Sequence, residues 1–203
     1  SRSETPARGQ QAMITMFREA VTEASPPDAS ETDVQLAGIA ALAAIHGLAL
    51  RPHTKTHKSP VMAAEQVRRG AIGLTVAQLH EARVMGAVTP DILLAHPPVG
   101  AAKLSRLLAL PSDMRLTVAL DSREALVPLA AAAADAGREI GVLVEIDVGM
   151  GRVGLPDPAT AVDLCRQCAS LDGVAWRGIM FYPGHVRQHV SEQDAALADV
   201  DAR

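Results

Sequence analysis

Short aliphatic runs alternate with amphipathic stretches along most of the chain. The runs "LALRPHT" (48–54), "AIGLTV" (71–76), "DILLAH" (91–96), "RLTVAL" (115–120), "IGVLVEIDV" (140–148) and "WRGIMFY" (176–182) have the length and aliphatic, often β-branched content of strands. Between them Pro60 to Arg69, Ala77 to Met85, Val99 to Leu108, Ser122 to Ala136 and Pro158 to Leu171 read as helices, and another from about Glu31 to His46 precedes the first strand. Near-continuous apolar strands separated by helices predict a parallel sheet covered by helices, the α/β class. Asp121-Ser122 and Asp157-Pro158 offer a capping oxygen or an N1 proline at two helix starts, while Gly70, Gly86, Gly137 and Gly173 punctuate helix ends. No G-x-G-x-x-G follows the first strand and no G-x-x-x-x-G-K is present, so the alternation favours a (β/α) TIM-type barrel over a nucleotide-binding doubly wound sheet.

A barrel concentrates its chemistry at the carboxyl ends of the strands. The residues able to do chemistry fall there: His53, Lys55 and His57 after the first strand, His96 after the third, Asp121 after the fourth, Asp147 and "GMGR" after the fifth, Tyr182 and His185 after the sixth. If the first strand stays extended, His53, Lys55 and His57 share one face, with Thr54 and Thr56 on the other. A lysine turned into a barrel mouth is desolvated, which favours the neutral amine and makes it a nucleophile toward aldehydes; the plain alternative is a solvated surface charge. Lys58, before Pro60, is expected near solvent. Trp176, Phe181 and Tyr182 crowd one strand; core packing accounts for Trp176, while the strand-end position of Tyr182 suits contact with a ligand.

Composition narrows the partners. With 203 residues, 48% of them hydrophobic and 21% charged, the chain has the make-up of a globular domain. A net charge of −4 gives no electrostatic footprint for nucleic acid or an anionic membrane, which leaves small-molecule chemistry. The apolar run Leu126 to Gly137 is too short to span a bilayer and carries Asp135. With no secretory leader at the start, a cytoplasmic location is the expectation. Cys165 and Cys168 form C-x-x-C inside a helical stretch with no second pair, and are read as small buried hydrophobes rather than a zinc or redox site.

Four segments carry a resemblance. "RPHTKTHKSP" (51–60), "DILLAHPPVG" (91–100), "VEIDVGMGRVGL" (144–155) and "RGIMFYPGH" (177–185) occur in an order that resembles the D-threonine aldolase and D-serine dehydratase group, relatives of alanine racemase with the fold type III pyridoxal-phosphate barrel. The resemblance runs from about Ala41 to His185. It implies that Lys55 forms the Schiff base with pyridoxal 5'-phosphate, that Arg152 reaches the cofactor ring or its phenolic oxygen, and that Tyr182 lies beside the ring. It also implies that His53 faces the pocket and that Gly184 and His185 belong to a loop near the phosphate. Asp147 either orients Arg152 or serves a structural partner.

The implied function is a lyase for D-3-hydroxyamino acids, by retro-aldol cleavage to glycine and an aldehyde or by elimination, with a homodimeric whole protein. A divalent metal (Mn, Mg or Zn) belongs to the whole enzyme and has no ligands assigned in this chain. The family usually opens with a strand such as "TPALVVDLDAL" and carries a second, β-rich domain. Here residues 1–32 read as an irregular segment with a weak helix near Met13 to Val21, and 33–203 as about six of eight barrel strands, without that second domain. Three other readings stay open: an amino-acid racemase, a non-catalytic pyridoxal-phosphate carrier, and a metal-dependent barrel hydrolase using His53, His57, His185 and His189.

Overall fold

A computed structural model describes residues 30–202. The weak helix expected near Met13 to Val21 lies outside them. Ser30 starts helix α1 (Glu31–Ile45) with a reciprocal cap, its hydroxyl accepting from the Asp33 amide while the Asp33 carboxylate accepts from the Ser30 amide. Next come α2 (Pro60–Arg68), β1 (Leu74–Val76), α3 (Leu79–Met85), β2 (Asp91–Leu94), α4 (Ala101–Leu108), β3 (Arg115–Leu120) and α5 (Arg123–Asp135). Strand β4 (Ile140–Ile146), α6 (Pro158–Ser170), β5 (Val174–Phe181), a 3-10 turn (Val190–Glu192) and α7 (Asp194–Asp201) complete the order.

The five strands form one parallel sheet in the order β1-β2-β3-β4-β5. Each neighbour pair is consecutive in the chain, the arrangement of a barrel wall rather than of a doubly wound sheet whose order reverses at a switch point. Alternation sorts the side chains. Leu74, Val76, Ile92, Leu94, Leu116, Val118, Leu120, Ile140, Val142 and Val144 are all buried in one apolar cluster with Leu104, Leu107, Leu126, Leu129 and Leu164 from the helices. The opposite face, which would line a barrel, carries Thr75, Leu93, Thr117, Gly141, Leu143 and Glu145.

Two sequence expectations are corrected. The first predicted strand, 48–54, is not a full strand: one parallel bridge joins His53 to Thr75, with the Ile72 amide donating to Leu50, the Thr75 amide to Pro52 and the Thr54 amide to Thr75. Pro52 has no N–H to add, which leaves a gap in the ladder between the Leu50 and Thr54 bonds, and the chain turns away at 54–57, so the described residues form a five-stranded sheet flanked by this extended segment. The predicted caps also divide. Asp157 accepts from the Thr160 amide at 2.8 Å with Pro158 in the first helical turn, whereas Ser122 makes no side-chain cap and Asp121 instead accepts the Gly154 amide at 2.9 Å. Cys165 and Cys168 lie in α6, where burial pushes the Cys168 thiol up to about 11, as inert packing requires. No described helix is long and apolar enough to cross a membrane.

Candidate active site

Because all strands run the same way, the segments leaving their carboxyl ends share one rim. Lys55 enters it from a turn rather than from an extended strand. Thr54 is fully buried, its hydroxyl donating to the Thr75 carbonyl at 3.2 Å, and the Lys58 amide closes back on the Thr54 carbonyl at 2.8 Å. The expected alternation of His53, Lys55 and His57 on one face therefore ends at His53. Lys55 is exposed, not desolvated as a residue inside a closed mouth would be, and its Nζ lies 6.0 Å from the centre of the Tyr182 ring.

His53 is half-buried and accepts the Lys55 amide on Nδ1 at 3.3 Å. Burial, followed by the charge of Lys55 and with a smaller push from His96, holds its imidazole below its ordinary value, so it is neutral at pH 7. His57 accepts the Ser59 amide on Nδ1 at 3.0 Å, which puts its proton on Nε2; that nitrogen is buried without a hydrogen-bond partner. Lys58 is exposed as expected, yet it is not free. It adopts φ of 49°, a strained conformation for a side-chain-bearing residue, and its Nζ sits 3.3 Å from Glu81. Glu81 is 5% exposed and also accepts the Ala77 and Gln78 amides at 2.8 and 3.2 Å. Burial raises its carboxyl, but those amides and Lys58 outweigh it and hold the group below its usual value. One carboxylate thus ties the Lys55 turn to the end of β1 and the start of α3.

The loop after β4 brings the second cation. Asp147 accepts the Gly149 amide at 3.0 Å and the Gly151 amide at 3.0 and 3.1 Å, winding "GMGR" into a tight turn. Gly154 closes the loop at φ of 98°, and a Cβ there would sit 2.5 Å from the Asp147 nitrogen, so no other residue fits. This turn carries Arg152, which is exposed, with its guanidinium carbon 5.1 Å from the centre of the Tyr182 ring. Tyr182 is 48% exposed at the end of β5, and Gly184 packs against its ring, where a Cβ would fall 2.2 Å from a ring carbon. His185 is half-buried with Nδ1 lacking a partner.

Lys55, Arg152, Tyr182 and Gly184 are thus gathered at one place, with His53 beside Lys55. Sequence reading missed Glu145 and Glu81; the signal for Glu145 was a carboxylate inside the apolar run "VLVEI". Two cations meeting at one aromatic ring repel each other, and an anionic, planar aromatic ligand would relieve that repulsion. Buried nitrogens without partners on His57 and His185 add polar capacity in the same segments. The residues present therefore fit pyridoxal phosphate. Among the described residues no three His, Cys, Asp or Glu side chains come together as a metal site, so His53, His57, His185 and His189, the set of the hydrolase reading, do not form one there. A cleft of about 640 Å³ lies at the other end of the strands. Within it Arg51 pairs with Asp91 at 2.6 Å and Arg177 with Glu139 at 3.3 Å.

Residues 35–202 match the family model described as alanine racemase, N-terminal domain. This chain belongs to that family. It is 35% identical to D-threonine aldolase of an Arthrobacter species over 83% of this chain and 45% of that protein, and 32% identical to 3-hydroxy-D-aspartate aldolase of Paracoccus denitrificans (strain Pd 1222) over 86% and 45%. The crystal structure of D-threonine aldolase from Filomicrobium marinum superposes with a TM-score of 0.77 at 34% identity, covering 82% of this chain and 46% of that one. The chain thus spans a little under half the length of these relatives. Membership accounts for the five parallel strands, which form part of an α/β barrel wall.

Proposed function

We propose that this chain carries the cofactor-binding part of a pyridoxal-phosphate lyase acting on D-3-hydroxyamino acids, with Lys55 as the amine that binds the cofactor covalently. The carrying observation is the approach of Lys55 Nζ and the Arg152 guanidinium to the Tyr182 ring, at 6.0 and 5.1 Å. When bound, pyridoxal phosphate supplies an aldehyde for amines and an electron sink for negative charge developing at the substrate Cα. Arg152 would hold the ring through its oxygen, and Tyr182, fixed by Gly184, would pack beside it. His53, neutral at pH 7 and hydrogen-bonded to the Lys55 amide, would hold the turn and accept a proton near the amine. The loop of Gly184 and His185 would face the phosphate. The substrate class follows the two aldolases the chain resembles, both named for D-amino acids bearing a 3-hydroxyl.

The test is chemical. Pyridoxal phosphate added to the protein should produce a visible absorbance band, and borohydride should then fix the cofactor mass on the peptide containing Lys55. Lys55→Ala should lose both while keeping its circular dichroism spectrum. A cofactor mass found on another lysine would move the assignment. Release of glycine from D-threonine, but not from L-threonine, would separate the lyase from a racemase or carrier.

A further inference from the structure

Along β4 the side chains of Val142, Val144 and Ile146 turn toward the helices, and Leu143 and Glu145 toward the other face, where Glu145 pairs in register with Met180 of β5. Glu145 is only 3% exposed, although the rim above it is open. It lines a small cavity, too tight to hold a water, with Ile146, Asp147, Met150, Arg152, Val153 and Tyr182. What acts on its carboxyl is burial, then the charges of Asp121, Arg152 and Asp147, with no hydrogen-bond donor among them. A carboxyl so placed has two stable forms. It can keep its proton and stay neutral, or it can ionise against a cation, and Arg152 is the cation in that cavity.

We propose that Glu145 is the positioning residue for Arg152: the ionised carboxylate holds the guanidinium in the pocket beside Tyr182, and the protonated carboxyl releases it. The surrounding charges make this an exchange rather than a permanent pair. Asp121, at the end of β3, is engaged by the Gly154 amide, and Asp147 by those of Gly149 and Gly151, and the charges of both oppose ionisation of Glu145. Burial and these anions push Glu145 up to about 7, so the two forms interchange near neutrality. Arg152 itself is exposed on a turn whose glycines, Gly149 and Gly151, have positive φ. The consequence for the cofactor ring rests on the function proposed above; the coupling of Glu145 to Arg152 does not.

The sequence supplies a probe, because Tyr182 is the one tyrosine of the 203 residues. Ring-carbon-13 tyrosine gives a single NMR reporter 5.1 Å from the guanidinium. Without cofactor, its shift should titrate with a midpoint near the value for Glu145. Glu145→Gln should flatten that step, and a step of unchanged size and midpoint would overturn the proposal by assigning it to a nearby histidine. Should Glu145→Gln fail to fold, Arg152→Gln on the exposed turn serves instead. Losing the cation should raise the midpoint of the Glu145 carboxyl carbon, and an unmoved midpoint would refute the coupling. With pyridoxal phosphate, Glu145→Gln should weaken affinity at pH 8 by about tenfold, the size of one charge-assisted contact, and much less at pH 6. An intact tyrosine titration in a protein that binds no pyridoxal phosphate would sink the proposed function and leave this inference standing.

Discussion

Glu145 and Glu81 are two carboxyls at nearly equal burial, 3% and 5% exposed, that titrate in opposite directions. Glu81 receives two backbone amides and an ammonium, so its folded-state affinity for a proton is weakened. The stability it contributes is present above the ordinary glutamate range and is lost as the pH falls. Glu145 receives no such donors and rises from 4.5 to about 7. Between those values the folded chain keeps a proton that the unfolded chain has released, so this contribution is full below 4.5 and is lost as pH rises through 7. The shift corresponds to about 3 kcal/mol at most. Glu145→Gln should therefore unfold at a higher denaturant midpoint than the natural chain at pH 8, with the difference shrinking toward pH 5. A difference independent of pH would mean that the carboxyl does not titrate in this window. Lys55, Arg152 and Tyr182 were legible in the sequence because motif and strand-end position coincide. The opposed behaviour of the two glutamates was not, since it depends on which amides the fold brings within reach.

At the scale of elements, most segments form where the apolar pattern puts them, and the exception is informative. The stretch 48–54 reads as a strand by composition, yet Pro52 lacks the amide that would extend the ladder. It becomes an extended segment with a single bridge, and the turn beginning at Thr54 lifts Lys55 out to the rim. That turn ends on the first residue of the α2 cap: Ser59 accepts the Met62 amide at 3.3 Å, and its own amide donates to His57 Nδ1. Ser59→Ala should cost about 1 kcal/mol of stability by removing the cap. Denaturant melts read that loss, and proteolysis at Lys55 and Lys58 should rise with it. Elsewhere, Asp121 shows how an element boundary can be predicted and its chemistry missed. The helix begins where Ser122 suggests, but the carboxylate beside it reaches across to the loop after β4.

For the molecule as a whole, β5 is an edge among the described strands, and its outward face is unevenly covered. Val174 is buried, whereas Trp176, Ile179 and Phe181 are each about half exposed. A bulge at Arg177, where Val142 pairs with Trp176 and Leu143 with Gly178, adds twist to this strand without hiding its apolar row. Such a face binds hydrophobic dyes and promotes association. The chain should enhance the fluorescence of anilinonaphthalene sulfonate in its folded state, and Phe181→Lys should lower both that signal and the light scattering of concentrated samples. Equal dye binding by the variant would place the exposed apolar surface elsewhere.

The amino-acid sequence alone determined the alternation of helices and parallel strands, their order and the identity of the lysine, arginine and tyrosine at the strand ends. Each of these follows from periodicity or from motifs short enough to be read locally. Only the tertiary structure decided which groups meet: the approach of Lys55 and Arg152 to one ring, the tie from Asp121 to Gly154, and the contrast between a satisfied Glu81 and a Glu145 without donors. Burial and electrostatic interaction depend on distances between residues remote along the chain, and no local pattern encodes those distances.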